Sequence, residues 1–323
     1  MIFPFDTKDT NICHVISMSG GKDSTAMALL AKEHNIPNVH YLMADTGHEH
    51  QATYDYVDYL ETVLGPIERV MADFSARIEH KREVVNVKWR KDGVSEDKIK
   101  RALAVLHPTG NPFLDLCLWK GRFPSTRRRF CSEELKHYPL DARMDKFLEE
   151  YAQVYSWQGV RRDESRQRFD LVAEEDHPSK QGLTWYRPIL DWTAEDCFAM
   201  HKKHEVDHNP LYSQGMGRVG CMPCIHATKG EFFEIARRFP AEIERIAEWE
   251  VIVSEAAKRD MSTFMDARVT ANGGFEKQDY DDINLEDNGI KQYAEYAKTS
   301  HGGRQYDLIK TTEEIPMCTS IYG

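Results

Sequence analysis

Over residues 11–71 the chain alternates short apolar runs with stretches of helical period, and that alternation restricts it to consecutive βα units around a parallel sheet. Residues 12–17 read as a buried strand, and residues 24–34 place Ala26, Leu29 and Leu30 on one face of a helix. Residues 39–44 read as a second strand, 51–64 as a second helix and 67–71 as a third strand. The fold class expected is α/β, a doubly wound and mostly parallel sheet, with a helical C-terminal region.

Beyond Met71 the pattern loosens. Residues 75–129 are charged and punctuated by Pro and Gly, which suits an insertion or lid across the mouth of the sheet better than another sheet layer. Residues 132–151 are helical with a break expected near Pro139, and residues 152–160 are a further strand. In Asp191-Trp-Thr-Ala-Glu-Asp196, Thr193 is placed to N-cap a helix that runs to about His204. Residues 230–258 read as a longer amphipathic helix or helix pair, followed by a polar tail. A division into 1–229, carrying the sheet and its insertion at about 75–129, and 230–323, a helical region and tail, is expected.

Ser19-Gly-Gly-Lys-Asp-Ser-Thr25 falls where the first strand turns into the first helix. Backbone N–H groups and a helix N-terminus converge there on a place suited to an anion. Gly20 and Gly21 permit close backbone approach. Lys22 adds a point charge for phosphate oxygens, and Ser19, Ser24 and Thr25 bring hydroxyl donors. Asp23 would repel bare phosphate unless a Mg²⁺ ion or a backbone contact occupies it. The G-x-x-x-x-G-K spacing of a Walker A loop is absent.

Composition narrows the functional classes. Hydrophobic residues at 41% and charged residues at 29% give an ordinary globular balance, and no apolar run reaches the length a bilayer requires. Residues 1–10 lack the basic start and apolar stretch of a signal peptide, so a cytoplasmic location is expected. The formal net charge of -11 opposes passive capture of polyanions. A nucleic acid would need a partner subunit or a local basic surface such as Arg122-Phe-Pro-Ser-Thr-Arg-Arg-Arg129. Seven cysteines, an odd number at irregular spacing, point to metal or redox chemistry rather than a disulfide framework. Cys13 and Cys197 sit in apolar patterns and read as core residues. Cys221-Met-Pro-Cys224 has the spacing for zinc, an iron–sulfur cluster or a redox pair, and does not by itself choose among them.

The Ser19 to Thr25 loop resembles the SGGKDS signature of the PP-loop superfamily, whose members cleave ATP between the α and β phosphates while adenylylating a substrate. Three further segments are similar, in order, to elements of the phosphoadenosine-phosphosulfate reductase (CysH-like) family within that superfamily. They are Asp45-Thr-Gly-His-Glu49, Gly159-Val-Arg-Arg-Asp-Glu-Ser165, and Asn209-Pro-Leu-Tyr-Ser-Gln-Gly215 leading into Gly220-Cys-Met-Pro-Cys224. The resemblance covers residues 12–72 and 127–229. Loops at the carboxyl ends of parallel strands line the ligand crevice, so Asp45 and Gly159 join the nucleotide site, with Asp45 facing Mg²⁺ or ribose. Arg161 and Arg162 are expected to grip sulfate or phosphate through bidentate hydrogen bonds.

In iron–sulfur members of the family a C-x-x-C joins an upstream Cys-Cys pair to hold a 4Fe-4S cluster. Here the upstream segment is Phe130-Cys131, with phenylalanine in place of one cysteine. The resemblance thus places Cys131, Cys221 and Cys224 as ligands. Cys318 in the tail is the first choice for the fourth, ahead of Cys117 and His226. Thioredoxin-dependent members carry a catalytic cysteine near the C-terminus, which gives Cys318 a competing role as nucleophile.

Two enzyme readings follow from the resemblance. In one, like the ATP-pyrophosphatase subunits of DNA phosphorothioation systems, the loop cleaves ATP with Mg²⁺, AMP activates an oxygen, and sulfur from a desulfurase replaces it. In the other, a phosphoadenylyl-sulfate or adenylyl-sulfate reductase passes activated sulfate to a thiol with a thioredoxin-like donor. Lys22 and Asp23, both present, favour ATP cleavage, with Lys22, Asp23, Arg161 and Arg162 as the catalytic set. A third reading makes the cysteines a structural zinc site in a non-catalytic nucleotide-binding module. Pairing as a homodimer is left open.

Overall fold

The computed structural model describes residues 3–265 and 283–299. Six strands form one sheet in the order β3-β2-β1-β4-β6-β5. They are β1 (Ile12–Ser17), β2 (Val39–Asp45), β3 (Ile67–Met71), β4 (Gln153–Trp157), β5 (Glu174–Asp176) and β6 (Leu183–Tyr186). All neighbours pair in parallel except β5, which runs antiparallel to β6 at one edge. The chain moves outward from β1 through β2 to β3, then returns to place β4 on the other side of β1. The crevice therefore opens at the carboxyl ends of β1 and β4, where the strand order reverses.

The helices are α1 (Lys22–Glu33), α2 (Gln51–Leu64), α3 (Ser75–Val84), α4 (Glu96–Val105), α5 (Pro112–Lys120), α6 (Tyr138–Glu150), α7 (Ala194–Lys203), α8 (Lys229–Arg238), α9 (Pro240–Ala256) and α10 (Ile290–Ala297). On one sheet face, Ile16, Met27, Leu29, Leu60, Trp157 and Cys197 are buried together. Small residues Ala26, Ala28 and Ala31 let α1 lie close to its neighbours. On the other face, Leu140, Met144 and Phe147 of α6 cover Cys13, Val15, Leu42 and Val154. Cys13 and Cys197 are accordingly buried apolar fillers, and burial first of all pushes both thiols above their ordinary range.

A third apolar cluster joins helices that are distant in sequence. Ile78, Trp89, Ile99, Phe113 and Leu116 pack with Phe232, Ile246, Trp249 and Ile290. Residues 75–129, read from sequence as a loose insertion, thus hold α3, α4 and α5 and share one core with α8, α9 and α10. Pro139 does not break its helix. It falls in the first turn of α6, just after a π-helical turn over Glu133–His137, where a missing N–H costs little. Thr193 and Asp196 form the anticipated capping box at the start of α7. A second box, Thr228 with Glu231, opens α8.

Glu250 of α9 ties this helical layer together. It is 2% exposed, and its two oxygens accept the N–H groups of Phe264 at 2.7 Å and Ile290, the first residue of α10, at 2.8 Å. Burial raises its carboxyl from the ordinary 4.5 to about 7, against the pull of those two donors. The folded chain therefore keeps a proton that the unfolded chain gives up first. Stability from this group is full below pH 4.5 and declines as pH rises to about 7, by about 3 kcal/mol over the interval. Urea unfolding between pH 4.5 and 8 should show that decline in the wild type. The same contribution should be missing from the pH profile of Glu250→Gln.

Candidate active site

The loop over residues 19–25 leaves β1 at the centre of the sheet and opens α1. Gly20 takes φ +70°, and a Cβ there would meet Thr53 Cγ2 of α2 at 2.9 Å, so glycine is required. Ser24 Oγ donates to the Gly21 carbonyl at 3.1 Å and accepts the Ser19 N–H at 3.2 Å. Ser19 Oγ accepts the Gly21 N–H at 3.4 Å. Both serines, expected as donors to a ligand, thus also set the loop's own curvature. Thr25 is fully buried in the first turn of α1.

Three side chains from residues 201–212 clamp the loop from the far side. His201 Nε2 donates to the Lys22 carbonyl at 3.0 Å, Asn209 Nδ2 donates to the Gly20 carbonyl at 3.1 Å, and the Lys22 N–H donates to Tyr212 Oη at 2.9 Å. Burial holds His201 below its ordinary pKa, so the ring is neutral at pH 7. None of these three roles was derived from the sequence. The Asn209 to Gly215 segment was noted for its resemblance only, and His201 carried no signal beyond its place on a helix.

Asp23 needs no metal ion to neutralise it here. Arg161 Nε donates to its Oδ1 at 2.7 Å, and Lys22 Nζ lies 3.3 Å from Oδ2. Arg161 is 3% exposed, and the rest of its guanidinium is spent as well. Nη1 donates to both oxygens of Asp163 at 2.7 Å, and Nη2 to Glu164 at 3.3 Å. Arg162 points elsewhere, to Asp191 and to the carbonyls of Phe169 and Leu171. The expected anion-gripping pair is therefore a keystone and a surface brace, both engaged by protein groups. Gly159 lies against the start of α1, where a Cβ would stand 3.5 Å from Ser24 N.

The loop after β2 forms the opposite wall. Asp45 Oδ1 accepts from Gly47 N at 3.0 Å and from Tyr54 Oη at 2.7 Å, which orients the carboxylate at the strand end. Between this loop and residues 17–19 lies a small cleft. It is lined by apolar Met18, Leu42, Met43 and Leu140 together with polar Ser17, Ser19, Glu49 and Lys136.

Glu49 joins the pocket to the cysteines. It pairs with Cys221 in an isolated antiparallel bridge, and the Cys221 thiol lies 3.8 Å from Glu49 Oε1 and 3.7 Å from Thr46 Oγ1. Burial, then the Glu49 carboxylate, push the Cys221 thiol above its ordinary range. Cys224 Sγ takes a hydrogen bond from Arg218 Nη2 at 3.2 Å and from the His226 N–H at 3.5 Å. Cys131 and Cys224 are both close enough to Cys221 to act on its charge, and Cys117 stands in the same relation to Cys131. Among the described residues, no three His, Cys, Asp or Glu side chains are gathered closely enough to hold a metal ion. Cys318 lies outside the described residues.

His48 fixes the cysteine turn. Wholly buried and held below its ordinary pKa by burial and then Arg245, it is neutral. Its Nε2 donates to the Pro223 carbonyl at 2.8 Å, so Nδ1 is the acceptor for Arg245 Nη1 at 3.2 Å. Arg245 also donates to the Met222 carbonyl at 2.8 Å, and the Met222 N–H to the His48 carbonyl at 2.8 Å. The ring stacks on Phe113 with centroids 4.1 Å apart.

The chain belongs to the phosphoadenosine phosphosulfate reductase domain family, whose model matches residues 13–227. An uncharacterized 37.8 kDa protein of Escherichia phage 186 is 49% identical over 96% of this chain and 95% of its own length. The adenosine 5'-phosphosulfate reductase of Burkholderia cepacia is 32% identical over 38% of this chain and 42% of its own. A phosphoadenylyl-sulfate reductase structure from Candida auris aligns with a TM-score of 0.41 at 15% identity, over 66% of this chain and 82% of that one. Among the described residues no helix is long and apolar enough to cross a membrane.

Proposed function

We propose that this protein is a PP-loop ATP pyrophosphatase of sulfur metabolism, which adenylylates an oxygen of a nucleic acid or nucleotide so that sulfur can replace it. The observation that carries this reading is the complete loop at the crevice of the sheet, with buried Lys22 beside an Asp23 whose charge Arg161 offsets. A polyphosphate there meets an ammonium rather than a bare carboxylate. The acceptor oxygen attacks the α-phosphorus, the bond to the bridging oxygen breaks, and pyrophosphate leaves. Mg²⁺ accompanying the nucleotide would spread the charge on its phosphates.

Cys131, Cys221 and Cys224 would hold a thiolate-bound group beside this site, a 4Fe-4S cluster or, in the alternative, zinc. Thiolates are donors that either group takes, but binding would have to draw the three side chains closer than they stand here; the chemistry supplied would be electron or sulfur handling next to the activated oxygen. Cys117 and the tail's Cys318 are the sources of a fourth thiolate. Metal analysis of anaerobically purified protein decides: iron with brown absorbance that bleaches in Cys221→Ser is expected, and stoichiometric zinc without iron would sink the cluster assignment.

A desulfurase is the expected sulfur donor. Arg122, Arg127 and Arg128 are exposed around a tight turn closed by the Ser125–Arg128 bridge, which supports nucleic-acid contact close to Cys131. The similarity to the Burkholderia cepacia reductase favours a second reading, reduction of an adenylyl-sulfate with a thioredoxin-like donor. Parallel incubations distinguish them. Pyrophosphate from ATP and Mg²⁺, with or without nucleic acid and desulfurase, supports the first. Sulfite from adenylyl sulfate and reduced thioredoxin, with no pyrophosphate from ATP, would replace it with the second.

A further inference from the structure

The Tyr212 hydroxyl clamps the 19–25 loop and also lies beside its glycine turn. It accepts the Lys22 N–H at 2.9 Å, and the place a Gly21 Cβ would take is 3.4 Å from it. Lys22 Nζ lies 5.5 Å from the centre of the same ring. The ring is held edge-on by Phe198 of α7, with centroids 5.5 Å apart at 88°, so the phenol is fixed rather than swinging. Burial, then the Asp23 charge, push its ionisation above the ordinary range, and it stays neutral at any working pH. A neutral phenol that accepts one hydrogen bond still has one proton to give. Among the described residues no acceptor faces that proton.

Resting on the nucleotide reading above, we propose that Tyr212 is a ligand-contacting residue of the anion site, whose hydroxyl accepts the Lys22 N–H and donates a hydrogen bond to a phosphate oxygen of the bound nucleotide. It would select for the phosphate end and be indifferent to the nucleoside. That division supplies the test. Calorimetric titration of the full-length wild type and Tyr212→Phe with ATP, inorganic pyrophosphate and adenosine separates the two halves of the ligand.

The variant should bind ATP and pyrophosphate at least about tenfold more weakly, as expected for losing a hydrogen bond to a charged acceptor, with adenosine binding unchanged. Unaltered ATP affinity overturns the proposal. Tighter ATP binding also overturns it, because the hydroxyl would then be occupying a ligand's place on the Lys22 amide. Equal weakening of ATP and adenosine reduces Tyr212 to a structural prop and overturns it as well. A wild type that binds neither ATP nor pyrophosphate overturns the nucleotide reading itself, and this assignment with it.

Discussion

Arg161→Ala is expected to lower the free energy of unfolding by about 3–5 kcal/mol, the range for removing one partner of a buried ion pair. The variant leaves Asp23, with a side chain 18% exposed, and Glu164, 5% exposed, without the guanidinium that now bridges them. Glu164 retains Arg168, and Asp163 is 43% exposed and contributes little. The effect therefore falls mainly on Asp23, which keeps Lys22 at 3.3 Å, and belongs at the lower end of the range. Arg161→Lys should recover only part of it, because one ammonium cannot serve three carboxylates through a planar fork. Urea unfolding measures both variants. A loss below about 1 kcal/mol for the alanine variant would contradict the keystone role.

Lys22→Ala is expected to slow pyrophosphate release from ATP by about 10²–10³-fold, the usual cost of removing one preorganised charge from a transition state. Its ammonium is buried between the Asp23 carboxylate and the Tyr212 ring, so the truncation removes positive charge where pyrophosphate departs. The fold should be little affected, because Asp23 keeps Arg161. Steady-state kinetics with adenosine binding as a control separates charge loss from damage to the pocket.

The βα alternation of residues 11–71 was legible because each element is long enough to repeat its period and is closed by a clear turn. Boundaries of β1, β2, α2 and β3 follow the sequence reading within a residue. The β5–β6 pair was not, since Glu174–Asp176 is an exposed acidic edge with no apolar alternation. The helices of residues 75–129 were also missed. Each is short, they are separated at Gly93 and Pro108, and their apolar faces make sense only against the distant helices α8, α9 and α10. At the site, sequence located the loop but not its clamps. His201 and Tyr212 reach it from 179 and 190 residues away, and no local pattern encodes such a contact. Arg161 was found by position, but its carboxylate partners were not foreseen, because a guanidinium offers the same donors to a carboxylate as to a phosphate.

The most direct test of ATP cleavage is phosphorus NMR of ATP and Mg²⁺ incubated with the protein, in the presence of nucleic acid and a desulfurase with its sulfur source. Appearance of AMP and pyrophosphate in equal amounts, abolished by Lys22→Ala, is the predicted result. ATP left intact, or converted to ADP and orthophosphate, would contradict it.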